Sequence, residues 1–238
     1  MLPFKFDIKL FALLFLAFVV STIVGTISHE YGHYAVAKYL GYSSTISYGY
    51  TNWNDKATDK FMDSTYLNYS KEIELQLDFP RKKEFDLIEK KQIHDGFWIT
   101  VGGPLQTMFT GTLGFLFVFF YRKKIGNKNA LSISQWIIIF LSLFWLRQIA
   151  ILVTWVAGYF FTGQFSLGGD EIGLAINLGL PMVTILSITA LIALGLLAFI
   201  IFKILPVNVR FTFILAGFFG GIFGYFFWLF WIGPILLP

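Results

Sequence analysis

The chain has no cysteine, only three histidines and few charges: 13% of its 238 residues are Asp, Glu, Lys or Arg, against about 25% in soluble domains. Without cysteine there is no disulfide scaffold, no thiolate metal site and no thiol nucleophile. The same scarcity of charge, with a mean hydropathy of +0.69, excludes an ordinary soluble protein. A disordered chain is excluded too, because 56% of the residues are apolar and 20% aromatic. The basic surplus, 18 Lys and Arg against 14 acids, is small and scattered, so nucleic acid is not an expected partner. Basic residues in short loops between membrane spans account for it.

What the chain does have is long apolar runs. A bilayer core of about 30 Å takes roughly 20 apolar residues per helix, and five stretches qualify: 10–40, 98–121, 135–161, 182–205 and 211–237. The first is not followed by a small-residue cleavage site and continues as SHEYGHYAVAKYL with helical character, so it reads as a retained span, not a signal peptide. The expected fold is therefore an all-α polytopic protein, one domain over 1–238, integral to the lipid bilayer and expected in a bacterial inner membrane. Lys5, Lys9, Arg122, Lys203 and Arg210 fall on one side of such a bundle. This predicts the N-terminus inside and the C-terminus outside. The one sizeable polar segment, 41–97, follows the first span. Within it STISYGYTNW alternates as a strand does, and RKKEFDLIEKKQIHDGF reads as an amphipathic helix near the membrane surface.

Two of the three histidines stand in His29-Glu30-Tyr31-Gly32-His33, at the far end of the first span. On a helix, positions i and i+4 share a face, so both imidazoles can reach one Zn²⁺ while Glu30 sits beside them to take a proton from water. This is the HExxH spacing of zinc metalloproteases. Histidine and glutamate inside a membrane helix are costly, which favours a functional role. A catalytic zinc needs a third protein ligand. Beyond the polar loop the only acids are Asp170 and Glu171, in FSLGGDEIGLAINLGLP between spans three and four; His94 is a weaker candidate. With five spans, HEYGH, the Gly102-Gly103-Pro104 turn and Gly168-Gly169-Asp170-Glu171 all fall at the same face of the membrane.

HEYGH closing a first membrane helix, GGPLQTMFTG opening a second, and an Asp in a Gly-rich turn before another helix together resemble the site-2 protease family of intramembrane zinc metalloproteases. The resemblance covers about the first 185 residues. It implies that His29, His33 and Asp170 bind one zinc ion per chain, that Glu30 is the general base, and that ISYGYTNW forms a strand able to pair with an extended substrate. The implied activity is zinc endopeptidase action on membrane-anchored proteins, in or near their transmembrane segment. The alternatives are a metal-binding scaffold or transporter without hydrolysis, and a membrane-bound protease acting on soluble substrates. Two features depart from the family pattern. Gln106 and Thr107 stand where members often carry an oxyanion-supporting Asn, and the usual Leu-Asp-Gly around the third ligand is replaced by Gly-Gly-Asp-Glu.

Arg147 lies in the third span, where a guanidinium is expensive and should face the bundle or a polar cavity. It is expected to pair with Glu171, to stabilise the tetrahedral intermediate, or to tie buried polar groups together. Gly217, Gly220, Gly221 and Gly224 give small-residue spacings for close helix packing within the bundle. The aromatic run 226–231 is expected to face lipid or the interface.

Overall fold

The computed structural model describes residues 5–126 and 131–238. Helix α1 (Ile8–Tyr39) starts where the Asp7 carboxylate accepts hydrogen bonds from the backbone N–H groups of Lys9 and Leu10, both at 3.0 Å. It stops at Gly41, whose φ of +92° suits glycine. The Gly41 N–H bonds Lys38 O and the Tyr42 N–H bonds Ala37 O, a Schellman turn that closes the last carbonyls. That stop delivers the chain into an antiparallel hairpin, β1 (Ser43–Ile46) and β2 (Thr51–Asn54), with Ser43 opposite Asn54 and Ile46 opposite Thr51. STISYGYTNW is thus two strands and a turn.

Helix α2 (Lys56–Glu74) is capped by Asp55. It buries Met62 against Phe79 and Phe85, forming a small satellite core away from the spans. Helix α3 (Lys82–Gly126) runs unbroken through the stretch expected to be a separate surface helix and on through the second span, with Pro104 inside it. At 1.5 Å per residue its 45 residues extend roughly 67 Å, so it projects beyond a bilayer core of about 30 Å. The third span is α4 (Ile133–Ser142) and α5 (Leu146–Thr162) joined by one 3₁₀ turn. A short helix α6 (Asp170–Asn177) precedes α7 (Thr184–Phe199), whose end continues as a wider turn to Ile204. The chain finishes with α8 (Arg210–Phe226), a wide turn over Phe227–Ile232, and α9 (Gly233–Leu236).

Five of these segments are long and apolar enough to cross a membrane: Ile8–Tyr39, Lys82–Arg122, Ile133–Thr162, Thr184–Ile204 and Arg210–Leu236. The fold is all-helical and polytopic, with one small two-stranded sheet. α1 is central, packed along α8 on one side and α3 on another. Leu14, Phe18, Val118, Ile139, Ile204 and Phe213 form the main apolar core towards its N-terminal half. The glycine stripe of α8 is spent on this contact: Gly217, Gly220 and Gly224 meet Phe15, Phe18, Val19 and Thr22 of α1, whereas Gly221 faces open space.

Candidate metal centre

At its C-terminal half α1 presents His29 and His33 one turn apart to a matching stripe on α3. That stripe is Ile99, Gly103 and Thr107, each four residues from the next and so on one face. The helices touch backbone to backbone, because a side chain on Gly32 would collide with the Gly102 carbonyl and one on Gly102 with the Gly32 carbonyl. A Cβ on Gly103 would fall onto the imidazole nitrogens of both His29 and His33. The three glycines that look like helix breakers are what let the histidines fit between the helices.

The outward nitrogens of both rings are engaged. His33 Nδ1 lies 2.6 Å from the Ile99 carbonyl, an acceptor only, so Nδ1 carries the proton. His29 Nδ1 lies 3.0 Å from Thr107 Oγ1, which itself donates to the Gly103 carbonyl at 3.1 Å; the hydroxyl oxygen is thus the acceptor for His29. Both Nε2 atoms are left with bare lone pairs, the arrangement metal-binding histidines adopt.

Those lone pairs meet a carboxylate. The φ of +112° at Gly169, strained for any other residue type, turns the chain so that Asp170 opens α6 facing α1. The loop before it is pinned by Phe165, stacked between Trp155 and Tyr159 at 4.2 Å from each, and by Trp155 Nε1 donating to Ser166 O at 3.0 Å. Asp170 Oδ2 then lies 2.8 Å from His29 Nε2 and 3.4 Å from His33 Nε2, and the two nitrogens are 3.1 Å apart. Three potential electron-pair donors within 3.4 Å of one another are placed to share a cation. A single proton lies along one of these contacts at a time. Tetrahedral zinc at about 2.05 Å from its ligands sets them about 3.3 Å apart, so the donor set fits zinc in chemistry and, to within about 0.5 Å, in spacing.

Glu30 is buried beside this triangle, and the closest atoms of His29, Glu30 and His33 lie within 4.8 Å of one another. Thr51 Oγ1, on β2, donates to Glu30 Oε2 at 3.0 Å and also lies 2.9 Å from the Glu30 carbonyl. Glu30, His33, Tyr50, Thr51, Arg147 and Asp170 line a cavity of about 380 Å³. No family model matches this chain, nor does any curated protein or solved structure. The case for a function therefore stands on this geometry and on the residues that make it.

The remaining candidates divide. Arg147 reaches the site, with Nη1 3.5 Å from Glu171 Oε1 and Nη2 3.6 Å from Asp170 Oδ2. Glu171 is fully buried behind Asp170 and its second oxygen has no hydrogen-bond partner. Thr107 sits behind His29, as above. Gln106 turns away, its amide donating to Thr110 Oγ1 at 3.1 Å. His94 stays outside the cluster, exposed, between Asp95 at 3.1 Å and Trp98 at 3.2 Å. Thr51, the Ile99 carbonyl and the close approach of Gly103 to the two imidazoles were not anticipated, although Gly103 was expected at this face. The four-residue spacing of Ile99, Gly103 and Thr107 was the available clue to two of them.

Proposed function

We propose that this chain is a membrane-embedded zinc endopeptidase of the site-2 type, cutting membrane-anchored proteins in or near their transmembrane segment. The observation that carries the reading is the meeting of two bare imidazole nitrogens with the Asp170 carboxylate, next to a buried glutamate that faces the same cavity. His29, His33 and Asp170 would hold one zinc ion. Bound there, it would supply Lewis acidity, polarising a carbonyl and bringing the pKa of water to about 7.

The chain's own residues supply the rest. Glu30, fixed through one oxygen by Thr51, accepts the proton of the attacking water and returns it to the leaving amine. Arg147, facing the cavity, is placed to stabilise negative charge developing on the substrate oxygen. The hairpin receives the substrate. Because the Ser47 N–H bonds Tyr50 O, the alternation of an antiparallel ladder turns the N–H and C=O groups of Thr51 and Trp53 to the outer edge of β2. Both residues line the cavity. An unwound peptide can add there as a strand, which a helix must become before its amides can be cut.

The test is Glu30→Gln, with zinc content and cleavage of a transmembrane test substrate measured together. The expected result is one zinc per chain and cleavage reduced at least about 100-fold. Undiminished cleavage would sink the protease reading. Zinc binding in the wild-type chain with no cleavage of any protein substrate would favour a metal-binding scaffold or transporter. Cuts mapped only to soluble substrates would move the substrate out of the membrane.

A further inference from the structure

The turn of the hairpin, Ser47–Tyr50, is held from the far end of the sequence. Trp228 Nε1 donates to the Tyr48 carbonyl at 2.7 Å, the Tyr48 N–H donates to Leu237 O at 2.8 Å, and Ser47 Oγ donates to Pro238 O at 3.0 Å. Packing closes the same contact. A side chain on Gly49 would come within 2.9 Å of Leu229, and one on Gly233 would run into Tyr48 and the Trp228 carbonyl. Trp228 is 4% exposed, while its neighbours Phe226, Phe230 and Trp231 are all more than half exposed. The departure from regular α-helix over Phe227–Ile232 shifts the residue register around it, and wide turns of this kind recur at functional positions.

Both backbone groups of Tyr48 are thus bonded by the C-terminal segment, three residues before Thr51, the residue that holds the Glu30 carboxylate. We infer that Trp228 and the segment after it form a latch that fixes the hairpin turn, and that Trp228 is a positioning residue for Glu30, acting through Thr51. The inference rests on the hydrolytic reading above. It extends the working site to a segment some 200 residues from the HEYGH motif, and it makes the C-terminal segment a control point: whatever loosens it loosens the base.

The experiment uses the full chain with zinc bound. Trp228→Phe keeps an aromatic side chain but loses the N–H donor together with part of the indole; Ser47→Ala removes the bond to Pro238 and serves as a second, milder probe. In both, amide hydrogen exchange over 47–52 is expected to quicken, about tenfold in Trp228→Phe, with exchange across the middle of α1 unchanged. The cleavage rate at saturating substrate is expected to fall about tenfold in Trp228→Phe, with zinc content unchanged. Thr51→Val supplies the decisive comparison. If Trp228 acts through Thr51, the double variant cleaves no more slowly than Thr51→Val alone; if the two losses multiply, the inference is overturned. Unchanged exchange over 47–52 in both latch variants overturns it as well. A wild-type chain that cleaves nothing overturns the hydrolytic reading instead, and exchange alone then decides whether the latch exists.

Discussion

Helix α1 has two halves that pack by different rules. Its N-terminal half sets Phe15, Phe18 and Val19 against the glycine stripe of α8, a contact of rings and backbone between surfaces that lipid would cover equally well. In a bilayer such a contact gains little from leaving the solvent and depends on close fit. Its C-terminal half sets two imidazoles, a glutamate and Gly32 against Gly102, Gly103 and Thr107 of α3. Most polar atoms there have an assigned partner, and the two helices meet backbone to backbone at Gly32 and Gly102. The first half is built to be tolerant, the second to be particular.

The largest expected effect lies in the particular half. Gly103→Ala pushes a methyl group onto both histidines, and zinc affinity should fall by 100-fold or more, taking cleavage with it; competition against a chelator of known affinity measures this. Thr107→Val removes only the acceptor behind His29, and a loss of roughly 10- to 100-fold in zinc affinity is expected, with thermal stability little changed. In the tolerant half the pattern should invert. Gly220→Leu overpacks the contact with Phe15 and Phe18 and should cost about 1–3 kcal/mol in reversible unfolding in bicelles, with zinc affinity as in the wild type. Gly221→Ala, one residue away but facing open space, should stay within about 0.5 kcal/mol in the same assay. If Gly220→Leu lowered zinc affinity as much as Thr107→Val, the two halves would not be independent.

The particular half was also the more legible. HEYGH announces itself because its residue types are rare in a membrane helix, and counting five spans was enough to bring Gly102–Gly103 and the Gly168–Glu171 turn to the same end. The spans themselves follow from length and composition, with ends within a few residues of those observed except at the start of the second, expected at 98 where the helix begins at Lys82. The polar segment was less readable. A break was expected between the charged stretch before Gly96 and the apolar run after it, yet α3 continues straight through. Backbone hydrogen bonding does not respond to a change in what the side chains face, so a shift of composition need not mark a helix end. Helix α2 went unnoticed because its apolar positions serve a small local core, not a span. Trp228 lies in a run expected to face lipid or the interface; the wide turn that brings it inward, and the partner 180 residues earlier in the sequence, leave no mark in local periodicity.

The contact between Gly32 and Gly102 bears on how a substrate gets in. Helices that meet through their own carbonyls can neither slide nor rotate past one another without collision, so α1 and α3 behave as a single rigid post bearing both histidines. Asp170, by contrast, belongs to a separate short helix, flanked by glycines at Gly163, Gly169 and Gly179 that all take the left-handed side of backbone space. Any widening of the cavity therefore falls on the hairpin or on α6, and movement of α6 would carry Asp170 away from the two histidines. Where α6 is what moves, access to the site and completeness of the proposed ligand set change together.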